Sequence, residues 1–246
     1  MIRTSTILVL LLTSALLFSC RKSDDTITSS GSITFNFINK AGNDTIKPDR
    51  FSYTNSSGNI YSVSLLKYYV SNFTFYKSDG TSINLKNYDL IDAFEPSSWK
   101  INLSALPNGT YDSLSFFVGI DSTKNFDLVQ TGDLDPSYNM FWSWSTGYIF
   151  FKHEGQYIGM ANDTLPLRLH YGGIKSIAIV GLPMHFEIKG NHHDADVTFD
   201  LNALYYNPDI DFNIDNNHQS SSSSERAWLE NMRNNFTHSF SITGIR

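Results

Sequence analysis

Regular alternation of apolar and polar residues is the feature that most limits what this chain of 246 residues can fold into. In residues 32–39, Ile33, Phe35 and Phe37 alternate with polar neighbours, and this period of two places the apolar side chains on one face of a strand. Similar runs recur along the chain and predict further strands at 62–76, 88–93, 99–103, 111–120, 148–153, 165–171, 177–180, 185–188 and 197–201.

Turn residues separate these runs. Ser78-Asp79-Gly80 and Pro107-Asn108-Gly109 are typical of short turns between neighbouring antiparallel strands. The hydrophobic content of 41%, with 18 Phe and 13 Tyr, fits a folded core, and the length fits one domain. The sequence therefore predicts an all-β-dominated fold, an antiparallel β-sandwich-like domain with a C-terminal helix.

The C-terminal helix follows a candidate capping box formed by Ser222 and Glu225. We expect its apolar face to pack on the sheet of its own domain, with a partner groove as the alternative, and a last strand at 237–242 to close the fold. The residues of this face recur at helical spacing and are Trp228, Leu229, Met232 and Phe236.

The N-terminus is typical of an exported lipoprotein. An apolar run at 7–18 is shorter than the roughly 20 residues that span a bilayer, and Leu17-Phe18-Ser19-Cys20 fits a lipoprotein cleavage box. We therefore predict a signal peptide at 1–19, a lipid on Cys20, a flexible tether at 20–32 and a β domain at 33–246. A buried free cysteine is the alternative for Cys20, the single cysteine of the chain.

The tether also bears on localisation. Lys22-Ser23-Asp24-Asp25 resembles the acidic export signal of Bacteroidetes lipoproteins, which implies an outer-membrane lipoprotein exposed at the cell surface. Attachment facing the periplasm is the alternative.

Charge and motifs exclude several function classes. The formal net charge is −6, and the Lys and Arg residues form no basic stripe, so nucleic-acid binding has no electrostatic support. The sequence has no Gly-x-Ser-x-Gly elbow, phosphate-binding Gly-rich loop or His-Glu-x-x-His helix. We expect a binding protein and not an enzyme, although a glycosidase-type carboxylate pair stays open.

The candidate metal ligands of the chain are its acidic residues and its seven histidines. The acidic run 209–215 resembles a calcium loop but has Ile214 and Ser220 where glycine and glutamate are needed, so we predict a strand there. The histidines and aspartates at 192–196 are predicted to lie in a solvated loop. His170 differs, because it ends an apolar strand beside two glycines that permit close approach of a ligand or of backbone, although a structural role is the alternative.

The most specific stretch is 132–155, GDLDPSYNMFWSWSTGYIFFKHEG. Its turn-rich first half leads into an aromatic strand, where Trp142 and Trp144 are two residues apart and hence on one face. A pair of indoles at such a place is a core plug, a stacking platform or a redox-active site.

This stretch resembles the hallmark of the MbnP-like family, in which a Gly-x-Leu-Asp-Pro turn leads to Met-Phe/Tyr-Trp-x-Trp-x-x-Gly-Tyr. The resemblance covers about residues 33–246 and indicates the Bacteroidetes lipoprotein branch. Other segments that match are Ser64–Asn72, Tyr88–Asp92, Phe117–Asp121 and Leu169–Gly173.

The resemblance implies copper binding. The family is named for exported copper-binding proteins encoded beside a dihaem enzyme similar to cytochrome c peroxidases, which oxidises a tryptophan to kynurenine. It implies that Trp142 or Trp144 is the oxidised residue, His170 the best matching ligand and His218 a weaker candidate. His153 departs from the family, since leucine is usual at that position.

A copper ligand set of this kind is chemically coherent. Imidazole suits copper in either oxidation state, and the thioether of Met140 or Met160 adds a soft donor if it faces the site. Indole is a poor ligand, whereas kynurenine offers an aromatic amine and carbonyl groups.

Three function classes follow. The first is an exported, lipid-anchored copper-binding protein whose site is completed by a dihaem peroxidase-like partner. The second is a surface module that binds glycan or protein without metal, since paired indoles are good stacking platforms. A hydrolase with an unrecognised carboxylate pair ranks last, because no motif supports it.

Overall fold

The computed structural model describes residues 29–127, 130–143, 145–206, 209–215 and 226–246, which form strands β1–β14 and helices α1–α4. The strands are β1 (Ser30–Ala41), β2 (Asp44–Thr45), β3 (Tyr53–Thr54), β4 (Ile60–Tyr61), β5 (Leu65–Lys77), β6 (Ser82–Asp92), β7 (Lys100–Pro107), β8 (Gly109–Val118), β9 (Phe141–Ser143), β10 (Gly147–Ile158), β11 (Thr164–Gly172), β12 (Ala178–Ile188), β13 (His192–Asp200) and β14 (Phe240–Ile245). The helices are α1 (Ser122–Asn125), α2 (Leu201–Leu204), α3 (Phe212–Asp215) and α4 (Arg226–Phe236).

Two sheets form a sandwich-like arrangement, which confirms the predicted fold class. In the smaller sheet, β1 pairs with β13 on one side and with β2 and β7 on the other, and β14 extends the sheet beyond β13. In the larger sheet, β5 pairs along one edge with β6 and along the other with β10 and then β8. β12 adds to β8, while β11, β9 and β4 pair with β10.

Aromatic rings from both sheets meet in the core. Phe35 of β1 stacks on Phe73 and Phe75 of β5, with ring centroids 5.4 Å and 6.2 Å apart. Tyr68 of β5 lies 4.9 Å from the ring of Phe199 in β13. Burial of each such ring stabilises the fold by about 1.5–3 kcal/mol, so the alternation of β1 and β5 is what holds the sheets together.

The C-terminal helix α4 packs on its own domain. Trp228 and Phe236 lie 6.0 Å and 5.3 Å from the ring of Tyr171 in β11, and Met232 is fully buried. The predicted helix is confirmed, while its capping box at 222–225 lies outside the described residues. None of the described helices has the length and apolarity needed to cross a bilayer.

The strand predicted at 209–215 is wrong, because a turn followed by α3 occupies this segment. Asp211 Oδ1 accepts hydrogen bonds from the main-chain N–H of Asn213 at 2.9 Å and from Asn59 Nδ2 at 3.2 Å. Asn59 Oδ1 in turn accepts from the N–H of Phe212 at 3.0 Å. These side-chain bonds satisfy backbone groups that a strand would pair with a neighbour, and so they favour the turn.

The loop predicted at 192–196 is also wrong, because these residues begin β13 and pair in parallel with β1. Ala195 faces the core, whereas Asp196 points outward and forms an ion pair with Arg246 at 2.7 Å. The segment is thus an ordinary half-buried strand, and the charged residues on its outer face led to the prediction of a loop. This parallel pair departs from the antiparallel pairing expected throughout.

Several strand boundaries also differ from the predictions, among them the following two. The strands at 177–180 and 185–188 are one strand, β12, with a shift of register between Pro183 and Phe186. The last strand starts at Phe240 and not at residue 237, because Ser239 is held in a turn where its Oγ donates to the carbonyl of Asn235 at 2.8 Å.

A buried histidine lies on the inner face of β10. His153 is fully buried, its Nδ1 is 2.5 Å from the hydroxyl of Tyr205, and its Nε2 is 3.4 Å from the carbonyl oxygen of Ser62. Burial lowers the pKa of His153 to about 4, because the charged imidazolium loses its hydration, and the Ser62 hydrogen bond opposes this only in part. His153 is therefore neutral in the folded protein at neutral pH.

The glycines of the large sheet allow a matched test of packing. In Gly155→Ala the new Cβ would lie 2.1 Å from the carbonyl oxygen of Ser62, so backbone must move, whereas at Gly181 nothing lies within 4 Å. We expect Gly155→Ala to lower the free energy of unfolding by about 1–3 kcal/mol. Gly181→Ala should change it by less than about 1 kcal/mol, with a gain favoured. Urea denaturation measures both, and equal effects would contradict this packing of β10.

His153 should make stability depend on pH. Its pKa is lower in the folded chain than the ordinary value of 6.5, so the unfolded chain takes up the proton first. The stabilisation by neutral His153 is therefore complete above pH 6.5 and is lost as the pH falls towards 4, by about 3 kcal/mol in total.

The measurement is the free energy of unfolding against pH for the wild-type protein and His153→Gln. The difference between the two curves should shrink as the pH falls from 7 to 4.5. Parallel curves would show that His153 is not buried in its neutral form.

Candidate functional site

A short segment, residues 132–143, crosses the outer face of the large sheet and is called the arch below. It contains two 3-10 turns, Gly132–Leu134 and Pro136–Tyr138, followed by β9. The side chain of Asp135 caps the second turn by accepting from the N–H of Ser137 at 2.8 Å, and Asn139 ends it in the left-handed region with φ 58°. The Asp-Pro pair seen in the sequence thus reverses the chain direction just before the aromatic residues.

Hydrogen bonds from the sheet hold the arch in place. The hydroxyl of Tyr69 donates to the carbonyl of Asp133 at 2.9 Å, and the hydroxyl of Tyr148 donates to the carbonyl of Leu134 at 2.5 Å. The carboxylate of Asp133 accepts from the N–H of Leu90 in β6 at 2.9 Å. Three separate strands therefore fix the first half of the arch.

Trp142 lies in β9, which pairs with the start of β10. Its indole is partly buried and passes directly over Gly172 at the end of β11, where a Cβ would lie 2.9 Å from Trp142 Cζ3 and 2.5 Å from the carbonyl oxygen of Tyr148. Gly172, two residues after His170, is thus the point at which the arch approaches the sheet.

His170 faces the same side of the sheet. It lies opposite Lys152 in the β10–β11 pair, and its Nε2 donates to Glu154 Oε1 at 2.8 Å. Burial lowers the pKa of His170, and the positive charge of Lys152 acts in the same direction, while the hydrogen bond to Glu154 opposes both. The imidazole is therefore neutral at pH 7, and with the hydrogen on Nε2 the ring lone pair is on Nδ1.

Glu154 is the centre of a small charge network. Burial raises its pKa, but the hydrogen bond from His170 and the charge of Lys152 outweigh this effect, so the pKa of Glu154 is below its usual value. Lys152 Nζ lies 3.4 Å from Glu154 Oε1 and also donates to the carbonyl of Asn139 in the arch at 3.2 Å. This lysine links the charge network to the second half of the arch.

An open cleft of about 520 Å³ lies between the arch and the sheet. Its charges are balanced, because Lys152 pairs with Glu154 and Lys67 pairs with Asp92 at 3.1 Å. The cleft is lined by residues that include Lys67, Tyr138, Phe141, Trp142, Lys152, Glu154 and His170. Two residues singled out from the sequence, Trp142 and His170, therefore lie in one cleft.

The other residues singled out from the sequence fall into two groups. Trp144, His218 and Cys20 lie outside the described residues. Met140 is buried in the core, and Met160 is 87% exposed in the turn between β10 and β11, so neither lines the cleft.

Sequence reasoning missed Glu154 and Lys152. Alternation along β10 indicates that they share a face, but their contact with His170 depends on the register between β10 and β11, which the sequence does not show.

Two other described histidines have partners of their own away from the cleft. His185 Nδ1 lies 2.9 Å from Asp112 Oδ1, and His192 Nδ1 lies 2.7 Å from the hydroxyl of Ser32. Across the described ranges, no three His, Cys, Asp or Glu side chains are grouped in a way that could hold a metal ion. The donor chemistry of the cleft nevertheless fits copper, since the neutral imidazole of His170 is a ligand that copper accepts.

Comparisons with known proteins identify the family and the fold. A family model for MbnP matches residues 30–224. The solved structure of MbnP from Methylosinus trichosporium has 15% sequence identity, covers 79% of this chain and 83% of its own, and superimposes with a TM-score of 0.51, a likeness that concerns the fold alone. No curated protein matches the sequence. Because the family model spans most of the chain, the protein belongs to the MbnP family.

Proposed function

We propose that this protein is an exported, lipid-anchored copper-binding protein whose site lies in the cleft and uses His170 and an oxidised Trp142. The observation that supports this most is the convergence of Trp142 and His170 in one cleft, although they come from different strands. The role proposed is binding and not catalysis of a reaction.

His170 suits the role of a ligand because of its partner. A carboxylate on one imidazole nitrogen fixes the ring orientation and the tautomer, and this arrangement is common behind metal-bound histidines. Here Glu154 accepts from Nε2–H, which leaves Nδ1 as the nitrogen that would hold copper. Glu154 itself acts as the orienting residue.

Trp142 suits the role of the modified residue because it is only partly buried at the edge of the cleft. An indole has no lone pair suited to a metal, whereas kynurenine carries an aromatic amine and carbonyl oxygens. Oxidation by a dihaem peroxidase-like partner would therefore add ligands beside His170. Copper, once bound, would supply a redox-active ion to this face of the sheet.

Export and anchoring complete the proposal. The cleavage box that ends at Cys20 and the polar tether before β1 support a lipoprotein of the outer membrane, exposed at the cell surface. A lipid on Cys20 would hold the β domain close to the membrane through the polar tether.

A second candidate function rests on the aromatic lining of the cleft. Tyr138 is 42% exposed and lies with Phe141 and Trp142 near the polar groups of Lys152 and Glu154. Aromatic rings beside charged hydrogen-bonding groups also suit a glycan or a peptide. This reading needs neither metal nor modification of Trp142.

Copper binding should depend on three residues of the cleft. We expect His170→Ala and Trp142→Phe to abolish stoichiometric binding in protein isolated from its own cells. Glu154→Gln should weaken it by about 10–100-fold, because the amide orients His170 less well. His185→Ala is the control, since His185 is exposed and pairs with Asp112 away from the cleft.

The measurement is copper per protein together with a competition titration against a chelator of known affinity. Unchanged affinity in His170→Ala and Trp142→Phe would exclude this site. Glycan binding by metal-free wild-type protein that is lost in Trp142→Phe would favour the second candidate instead.

Mass analysis of the protein from its own envelope tests the modification and the anchor together. We expect the peptide with Trp142 to carry the mass change from tryptophan to kynurenine, and the mature N-terminus to be a diacylated or triacylated Cys20. An unmodified Trp142 in copper-loaded protein would contradict the first expectation. An unprocessed N-terminus with free Cys20 would contradict the second.

A further inference from the structure

A tyrosine and a histidine share a short hydrogen bond inside the core, on the face of β10 opposite the cleft. The hydroxyl of Tyr205 lies 2.5 Å from His153 Nδ1, and both side chains are fully buried. Their rings stack with centroids 5.8 Å apart and an interplanar angle of 24°. Neither residue is needed for the copper site proposed above.

The positions of the protons follow from the surroundings. His153 Nε2 faces the carbonyl of Ser62 at 3.4 Å, so Nε2 carries the hydrogen and Nδ1 is the free acceptor. Burial raises the pKa of Tyr205 well above its ordinary value, because a phenolate would be poorly solvated there. In the resting protein the phenol of Tyr205 therefore donates to a neutral imidazole.

Other buried tyrosines lack such a base. The hydroxyl of Tyr68 donates to Asn39 Oδ1 at 2.9 Å, and the hydroxyl of Tyr61 donates to Asn202 Oδ1 at 2.8 Å. A carboxamide oxygen accepts a hydrogen bond but does not take up the proton at neutral pH. Within the described ranges, Tyr205 is the tyrosine whose hydroxyl donates to an imidazole.

We propose that Tyr205 and His153 form a proton-coupled redox pair that responds to high-potential one-electron oxidants. The oxidant removes one electron from the phenol of Tyr205 and is itself reduced. The O–H bond breaks and an N–H bond forms at His153 Nδ1, which yields a neutral tyrosyl radical beside an imidazolium. When a one-electron reductant returns the electron, the proton moves back to the phenol oxygen.

The surroundings favour this chemistry at Tyr205. Because the proton moves only along an existing hydrogen bond, the transfer needs no water, and the positive charge left by the electron rests on the imidazolium of His153. Burial disfavours this charge, so only an oxidant of high potential drives the step. The ring of Tyr61 lies 5.8 Å from His153 and 6.1 Å from Tyr205 in edge contacts. Burial also keeps solution reductants and other radicals away from the phenoxyl oxygen.

An exposed tyrosine lies next to the pair along the chain. Tyr206, the next residue along the chain, is 66% exposed and lines an open cavity together with Asp200 and His238. An oxidant that contacts Tyr206 therefore reaches the neighbour of the buried pair without entering the core.

The experiment uses metal-free protein and photogenerated tris(bipyridine)ruthenium(III), with persulfate as the sacrificial acceptor. Electron paramagnetic resonance then follows the tyrosyl signal that survives ascorbate, which removes exposed radicals. We expect this protected signal in the wild type, its loss in Tyr205→Phe, and its loss in His153→Gln, where the amide accepts a hydrogen bond but not the proton. Tyr68→Phe is the matched control and should keep the signal.

A measurement on the wild type does not depend on how the variants fold. With ¹⁵N-labelled histidine, the protected radical should show a hyperfine coupling to nitrogen through the hydrogen bond. A protected signal that persists in Tyr205→Phe, or one without nitrogen coupling in the wild type, would overturn the proposal. Retention of the full signal in folded His153→Gln would do the same.

Discussion

The alternation of side chains along β10 separates two kinds of chemistry on the two faces of the large sheet. Phe151 and His153 point into the core, while Lys152 and Glu154 point outward beneath the arch. A strand imposes this period of two, so a shift of one residue in register would move every one of these groups to the wrong face. The core and the cleft therefore depend on the same register between β10 and its neighbours β5 and β11.

The core explains why that register is well defined. Rings from β1 and β13 pack between those of β5 and β10, and helix α4 covers the remaining inner face near Tyr171. Interiors of this kind are close-packed, so a slip of one strand would leave a cavity and bury polar groups at the same time. The outer cleft needs fewer contacts of its own, because its position is already set by the core.

Local patterns were sufficient for most of the strands and for part of the candidate site. Alternation located most strands, and the residues of the arch indicated a turn before Trp142. Pairing was not visible in the same way, since the parallel partner of β1 is β13, far away in sequence. The segment 209–215 misled because Asn59, also distant in sequence, supplies the bonds that favour a turn. Glu154 was missed for a related reason, as its role depends on a neighbour across the sheet.

The anchoring of the arch has a consequence for which of its residues can be exchanged. Tyr69, Tyr148 and Lys152 all donate to main-chain carbonyl oxygens, so they hold the path of the chain and are indifferent to the side chains that it carries. Substitutions along the second half of the arch can therefore change what the cleft recognises without changing where the arch runs. The side chains of the cleft can thus change while the backbone path that carries them stays the same. Proteins that place variable loops on a fixed sheet share this property.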